Sequence, residues 1–218
     1  WNWLVCGLGV GATLILFDGA PFFREGRILW EIAEQEGINI FGVSAKYISA
    51  LENTDVRPKR DFSLPMLRVV LSTGSPLAPE SFDFVYEAIG DNLQLASISG
   101  GTDILSCFAL GNPLLPVRRG ELQCKGLGMA TEVYNEDGRS VIGEYGELVC
   151  TKPFPSAPIA FWNDVGGKRY KAAYFEQFPG LWAQGDFAEV TPSGGLVIHS
   201  GVGSPIHGVS QPCIARAS

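Results

Sequence analysis

A chain of 218 residues with 46% hydrophobic and 18% charged residues is globular in composition and long enough for one large domain or two modest ones. Its net charge of −7 with 16 basic residues argues against nucleic acid as main partner, because phosphate neutralisation needs clustered Lys and Arg. Five widely spaced cysteines without a Cys-x-x-Cys pair, and two histidines too isolated to build a metal cluster, point to reduced, mostly buried thiols in a cytosolic protein.

The opening Trp1 to Phe17 is nearly uncharged, but it lacks a basic leader, carries Gly7, Gly9 and Gly11, and is short for a membrane span. It reads as a buried helix running into a buried strand, Ala12 to Phe17, closed by Asp18-Gly19. Without an initiating Met, and with the apolar density of a domain interior, the chain is expected to start inside a larger protein. Arg27 to Glu36 places Ile28, Leu29, Ile32 and Ala33 at helical spacing, and Gly37 stops the helix. Asn39 to Val43 is the next strand, and Ser44 is placed to cap a helix over Ala45 to Leu51 with Tyr47, Ile48 and Leu51 on one face. Asn53 to Pro65 is polar and reads as a surface connection, its Arg57-Pro58-Lys59-Arg60 as a solvated loop. Leu67 to Leu71 is another buried strand, Pro79 opens a helix through Ile89, and Leu93 to Ile98 is a further strand. Strand–helix–strand units of this length predict a parallel α/β layer with flanking helices. Beyond about Gly111 helical periodicity fades, and turn signals such as Glu136-Asp137-Gly138 and Pro192-Ser193-Gly194-Gly195 predict a smaller, mainly antiparallel β subdomain. The expected organisation is therefore an α/β part over 1–110, a β-rich part over 111–199, and an irregular tail over 200–218.

Chemistry concentrates in three stretches that follow predicted strands: Thr73-Gly74-Ser75-Pro76, Gly100-Gly101-Thr102-Asp103 and Gly185-Asp186. Ligands of open α/β sheets bind at the carboxyl ends of strands. Adjacent glycines admit close backbone approach, and a hard divalent cation takes oxygen ligands such as Asp103. Each stretch alone is equally an ordinary turn. Neither a dinucleotide fingerprint nor a Walker A sequence is present, and Ser72 and Ser75 lack the Gly-x-Ser-x-Gly setting of a hydrolase nucleophile. Lys46, on the first turn of its helix, is either a snorkelling surface lysine or a pocket residue. Glu147 reads as a capping or pairing residue without a catalytic role.

The ordered set Thr73-Gly74-Ser75-Pro76, Gly101-Thr102-Asp103, Gly146-Glu147-Leu148 and Trp182-Ala183-Gln184-Gly185-Asp186 resembles the adenylate-forming acyl-CoA synthetases over residues 1 to about 199. Those enzymes activate a carboxylate with ATP to an acyl-adenylate and pass the acyl group to coenzyme A. Trp1 to Val5, Phe41 to Tyr47 and Ser97 to Ile104 look most like the branch of the family that takes acetoacetate. The resemblance implies part of that family's large domain, a cytoplasmic ligase, and the small molecules acetoacetate, ATP with Mg²⁺, and coenzyme A as its ligands, with no role for a membrane. It implies that Gly74, Ser75 and Pro76 line the adenine side, that Thr102 contacts phosphate with Gly101 beside it, and that Asp103 helps hold Mg²⁺. Asp186 would accept from the ribose hydroxyls. Val43, Ser44 and Lys46 would border the acyl pocket.

Two departures from the family pattern carry information. Ser99 stands where relatives commonly stack an aromatic ring on adenine. Gly100 stands where acetate-specific relatives close the acyl pocket with Trp, so the resemblance implies an open wall suited to a longer acid. The family's phosphate loop would lie upstream of Trp1, its Gly-Arg-x-Asp hinge is replaced after His199 by Ser200-Gly201-Val202-Gly203, and its C-terminal domain is expected to fall outside these residues. Stabilising a pentavalent phosphorus needs the cations of those parts, so the isolated chain is not expected to form acyl-adenylate. A ligase for another short acid, such as acetate or propionate, and a non-catalytic nucleotide-binding remnant stay open alongside the acetoacetate reading.

Overall fold

The computed structural model describes residues 2–199 and 213–216, with side chains described for 6–183 and 185–199. The chain forms two compact units, one drawn from 1–97, 113–120 and 209–218, the other from 98–112 and 121–208. The change of architecture expected near residue 111 thus falls at Ser97/Ile98, with a return to the first unit over Pro113–Gly120.

In the first unit, α1 (Asn2–Gly9) leads into β1 (Thr13–Leu16), and α2 (Arg27–Glu36) buries Leu29, Trp30 and Ala33. Gly37 ends α2 in the left-handed conformation, φ +60°, its N–H reaching the Ala33 and Glu34 carbonyls; the glycine stop arises because that conformation costs no Cβ clash. Next come β2 (Ile40–Ser44), α3 (Ala45–Glu52), a short α4 (Pro58–Asp61), β3 (Val69–Thr73), α5 (Pro79–Phe84) and β4 (Gln94–Ser97). Strands β2, β3 and β4 are parallel, with Val43 opposite Ser72 and Ser72 opposite Ser97. Trp30 stacks on Phe41 at 4.2 Å between ring centroids, and Ile48, Leu51, Val70, Val85 and Leu95 complete a core in which each is essentially fully buried. Fully burying such side chains contributes about 1.5–3 kcal/mol each.

Several expectations are corrected here. The helix opened by Pro79 does not run unbroken to Ile89: its last part, Val85–Ile89, widens to a π turn that keeps Val85, Ala88 and Ile89 buried. Arg57-Pro58-Lys59-Arg60 is no solvated loop. Pro58 sits at the start of α4 and is buried, and Asp61 accepts from the Arg57 N–H at 3.1 Å, from Arg60 at 2.7 Å and from Arg27 at 3.2 Å. Those donors, the Arg60 hydrogen bond foremost, hold the Asp61 carboxyl well below the usual carboxylate range. Nor are the described side chains of the opening helix and strand, from Cys6 onward, fully buried. Leu8, Val10 and Leu16 are exposed. A Cβ at Gly7 would clash with the Leu14 side chain, so α1 comes close to β1 there.

The second unit begins with β5 (Ser99–Gly101), β6 (Ser106–Leu110) and β7 (Cys124–Lys125), an antiparallel three-stranded sheet. A four-stranded sheet follows: β8 (Thr131–Tyr134), β9 (Tyr145–Cys150), β10 (Trp182–Val190) and β11 (Leu196–His199), in the order β11-β10-β9-β8 and antiparallel throughout. Between β9 and β10 stands α6 (Lys168–Phe175), which fading periodicity had hidden. Asp164 accepts from the Arg169 and Tyr170 N–H groups and so satisfies donors of its first turn. Ile104, Phe108, Val133, Leu148, Ala188 and Leu196 form the core of this unit.

The expected irregular tail contains one strand. Cys213–Arg216 (β12) pairs antiparallel with both β1 and β2, giving the first unit's sheet the order β1-β12-β2-β3-β4. Its Cys-Ile-Ala run can fill that gap because a strand needs only a short stretch without Gly or Pro. The rest of the predicted tail, 200–212 and 217–218, lies outside the described residues. Cys6, Cys107, Cys124 and Cys150 are not in disulfides, and of these four Cys150 alone is buried, which corrects the expectation of mostly buried thiols. No helix among the described residues is long and apolar enough to cross a membrane.

Candidate functional site

The predicted residues divide between the units. In the first, Val43, Ser44 and Lys46 end β2 and start α3, and Gly74, Ser75 and Pro76 follow β3. Because Ser44 lies opposite Thr73 in a parallel pair, both groups leave the sheet at its carboxyl edge, where ligands of such sheets bind. Val43 is buried, Ser44 is half-buried and its Oγ accepts from the Tyr47 N–H at 3.1 Å, and Lys46 is exposed. The cap explains why Ser begins the helix, and exposure of Lys46 gives it the surface position that snorkelling predicts. Gly74 has φ +84°, so the turn after β3 needs glycine. The Ser72 hydroxyl just before it is fully buried with no hydrogen-bond partner.

In the second unit, the stretch read as a plain turn is a hairpin. Ser99 and Gly100 belong to β5, Gly101 closes it opposite Ser106, and Thr102 to Leu105 make the turn. Ile104 is fully buried and anchors that turn, while Thr102 is exposed and Asp103 half-buried. Gly100 has a cause that the sequence did not display. A Cβ there would lie 2.7 Å from the Cys107 Cα and closer still to the Ser106 carbonyl oxygen. The missing side chain therefore faces the β6 backbone. At Gly101 the missing Cβ leaves room for the Asp103 carboxylate, whose Oδ1 folds over that position. Oδ2 of Asp103 accepts from the Tyr174 hydroxyl of α6 at 2.7 Å. Tyr174 is buried, and its ring stacks on Trp182 of β10 at 3.8 Å and 17°. Burial first, then the Asp103 hydrogen bond and charge, raise the Tyr174 phenol, so it stays an O–H donor.

Asp186 owes its position to an irregularity in β10. Ala183 pairs with Val149 and Phe187 with Glu147, so Gln184, Gly185 and Asp186 bulge opposite Leu148 alone. Gly185 adopts φ +86° and donates its N–H to Glu147 Oε1 at 2.7 Å. Glu147, 3% exposed, thus pins the bulge, and its carboxyl is pushed up chiefly by burial, partly offset by that hydrogen bond, with the Asp186 charge adding to the rise. Asp186 itself is half-buried. The sequence reading missed Tyr174, which carries no motif signal, and gave Glu147 a pairing role without its partner. Among the described residues, no three His, Cys, Asp or Glu side chains cluster as a ready-made metal site.

A parallel α/β layer carrying glycine turns at its carboxyl edge, and a β unit presenting Thr-Asp and Gly-Asp, is the architecture of enzymes that form adenylates. The chain belongs to the AMP-binding enzyme family, whose model matches residues 1–156. It is 58% identical over 199 residues to acetoacetyl-coenzyme A synthetase of Rhizobium meliloti (strain 1021), covering 91% of this chain and 31% of that protein. Acetoacetyl-CoA synthetase of Xenopus tropicalis is 48% identical over 199 residues, again 91% of this chain and 30% of the relative. Among solved structures, acetoacetyl-CoA synthetase from Streptomyces lividans superposes with a TM-score of 0.85 at 45% identity, covering 92% of this chain and 32% of that one. The chain therefore spans about 31% of the length of the curated relatives it matches.

Proposed function

We propose that the chain contributes nucleotide and acyl contacts to an acetoacetate–CoA ligase, which activates acetoacetate with ATP and transfers it to coenzyme A. The observation that carries this reading is the pair of carboxylates held at designed irregularities of one unit: Asp103 on its hairpin, tied to Tyr174, and Asp186 on its bulge, pinned through Glu147. The names of the relatives supply the acid. Asp186 accepts from the ribose hydroxyls, Thr102 donates to phosphate, and Gly74, Ser75 and Pro76 serve the adenine side, with Ser99 and Gly101 as further nucleotide contacts. Val43, Ser44, Lys46 and Gly100 belong to the acyl side.

Mg²⁺ fits the residues present in one particular way. It is held by few protein carboxylates and completes its shell with water and substrate phosphates, which suits a half-buried Asp103 with no neighbouring acid cluster. Bound there, the ion supplies charge stabilisation on the phosphates. This chain's part is to hold the Asp103 carboxylate oriented. A cytoplasmic setting goes with this reading.

The test is acid-dependent ATP–pyrophosphate exchange by the full-length protein with acetoacetate, acetate, propionate and 3-hydroxybutyrate in parallel. Exchange fastest with acetoacetate is expected; equal or faster exchange with acetate would transfer the reading to another short acid, and no exchange with any acid would leave nucleotide binding alone.

A further inference from the structure

We infer that Tyr174 is a positioning residue for the metal–nucleotide contact, fixing the Asp103 carboxylate through its hydroxyl; this rests on the reading of Asp103 given above. Four observations converge on it. The Tyr174 hydroxyl meets Asp103 Oδ2 at 2.7 Å across 71 residues of sequence, so the contact is tertiary and not a by-product of local turn geometry. The Tyr174 ring is clamped: it stacks on Trp182 at 3.8 Å and is flanked edge-on by Phe161 and Tyr170 at 5.6 and 5.4 Å. Gly101 leaves open the space into which Oδ1 folds, so both carboxylate oxygens have defined surroundings. Finally, the fully buried Ile104 fixes the turn that carries the acid.

The chemistry of the partner matters as much as its position. An Arg or Lys at this point would orient the carboxylate and also neutralise it. A phenol orients it with one neutral hydrogen bond and leaves the full negative charge, with lone pairs on both oxygens, for a cation. Without that bond the Asp103 side chain on an exposed turn is freer to rotate between staggered wells, and a ligand must pay for ordering it. Partners that orient a metal-binding side chain typically change metal affinity by about 10–100-fold.

The experiment measures Mn²⁺ binding by electron paramagnetic resonance to the full-length protein in the presence of a non-hydrolysable ATP analogue. It compares wild type with Tyr174→Phe, Asp103→Asn and Tyr170→Phe, the last removing a hydroxyl from the same helix that donates to the Pro158 carbonyl at 2.6 Å. The expected result is Mn²⁺ affinity about 10-fold weaker for Tyr174→Phe, weaker again for Asp103→Asn, and unchanged for Tyr170→Phe. Weakening in Asp103→Asn with wild-type affinity in Tyr174→Phe would overturn the role of Tyr174 and spare that of Asp103. Wild-type affinity in both would overturn the two together, and equal weakening in Tyr170→Phe would show a general effect of loosening α6 and overturn the specific one. Should Tyr174→Phe lose its fold, the near-ultraviolet tyrosine spectrum decides instead. Adding Mn²⁺ and the analogue is expected to perturb a tyrosine in wild type and in Tyr170→Phe but not in Asp103→Asn, and an unperturbed wild-type spectrum overturns the inference.

Discussion

Gly100 is the position where a one-atom change has the most to say. Its backbone is not in the left-handed region, so nothing in its conformation demands glycine; only the space does. A Cβ placed there would be 2.7 Å from the Cys107 Cα, against the 3.4 Å at which ordinary contact begins, so β5 and β6 must part by at least 0.7 Å, and more at the Ser106 carbonyl. Both obstructing groups are backbone, and no rotamer change relieves them. Forcing even one methyl group into such a contact costs about 1–3 kcal/mol, and parting the strands loosens the hairpin that carries Thr102 and Asp103. Gly100→Ala is therefore expected to lower the urea midpoint of the chain by an amount corresponding to about 1–3 kcal/mol. Gly9→Ala, in an exposed helix with nothing near its Cβ, is the matched control and is expected to be neutral or stabilising by up to about 1 kcal/mol. Gly100→Ala with wild-type stability would refute the close-approach argument. Gly100→Trp is a larger step on the same path, so a shift of preference from acetoacetate to acetate counts only where circular dichroism shows the hairpin unit intact.

Glu147→Ala strips the Gly185 N–H of its buried acceptor and is expected to cost about 1–3 kcal/mol in denaturant titrations while weakening nucleotide binding through the displaced Asp186; Glu147→Gln retains an acceptor and should keep both. Because the Glu147 carboxyl is raised in the folded state, its contribution is fully present below the ordinary carboxylate range and is lost as pH rises through the folded value. Stability of wild type relative to Glu147→Gln should accordingly fall as pH rises through and above the ordinary carboxylate range, and a flat difference would contradict the burial argument. Asp61 runs the other way. Its depressed carboxyl stabilises the fold above the ordinary range and loses that advantage only as pH falls through its lowered folded value, so Asp61→Asn is expected to cost about 1–2 kcal/mol at neutral pH and progressively less as acid takes the solution below the ordinary carboxylate range, measured by thermal melts. The 218 residues tested alone, spanning 31% of a relative's length, are expected to give no acetoacetate-dependent ATP–pyrophosphate exchange, and measured exchange would overturn that expectation.

Periodicity and punctuation made the first unit readable. Arg27–Glu36 was bounded by its apolar stripe and Gly37, and the Ser44 cap and the parallel strands after it followed the same local rules. These features are local, and so is the information that sets them. The failures share the opposite property. The hairpin at Ser99–Gly101 looked like a turn because its partner, Ser106–Leu110, supplies the pairing, and two glycines carry no strand propensity of their own. Helix α6 is weakly amphipathic and takes its stability from the aromatic cluster of Tyr170, Tyr174 and Trp182, which lies in no sequence window. The buried opening segment was over-read, because apolar composition states what a segment prefers and not what covers it. At the candidate site the motifs named Asp103 and Asp186, but the residues that hold them, Tyr174 and Glu147, are 71 and 38 positions distant along the chain from the groups they bind.

Calorimetric titration of ATP into the full-length protein, with and without Mg²⁺, tests the assignment of the two carboxylates most directly. Asp186→Asn is expected to weaken ATP binding in both conditions, since the contact proposed for it is to the ribose, whereas Asp103→Asn is expected to weaken it only when Mg²⁺ is present. Wild-type affinity in both variants, or a loss in Asp103→Asn that persists without the metal, would contradict the account.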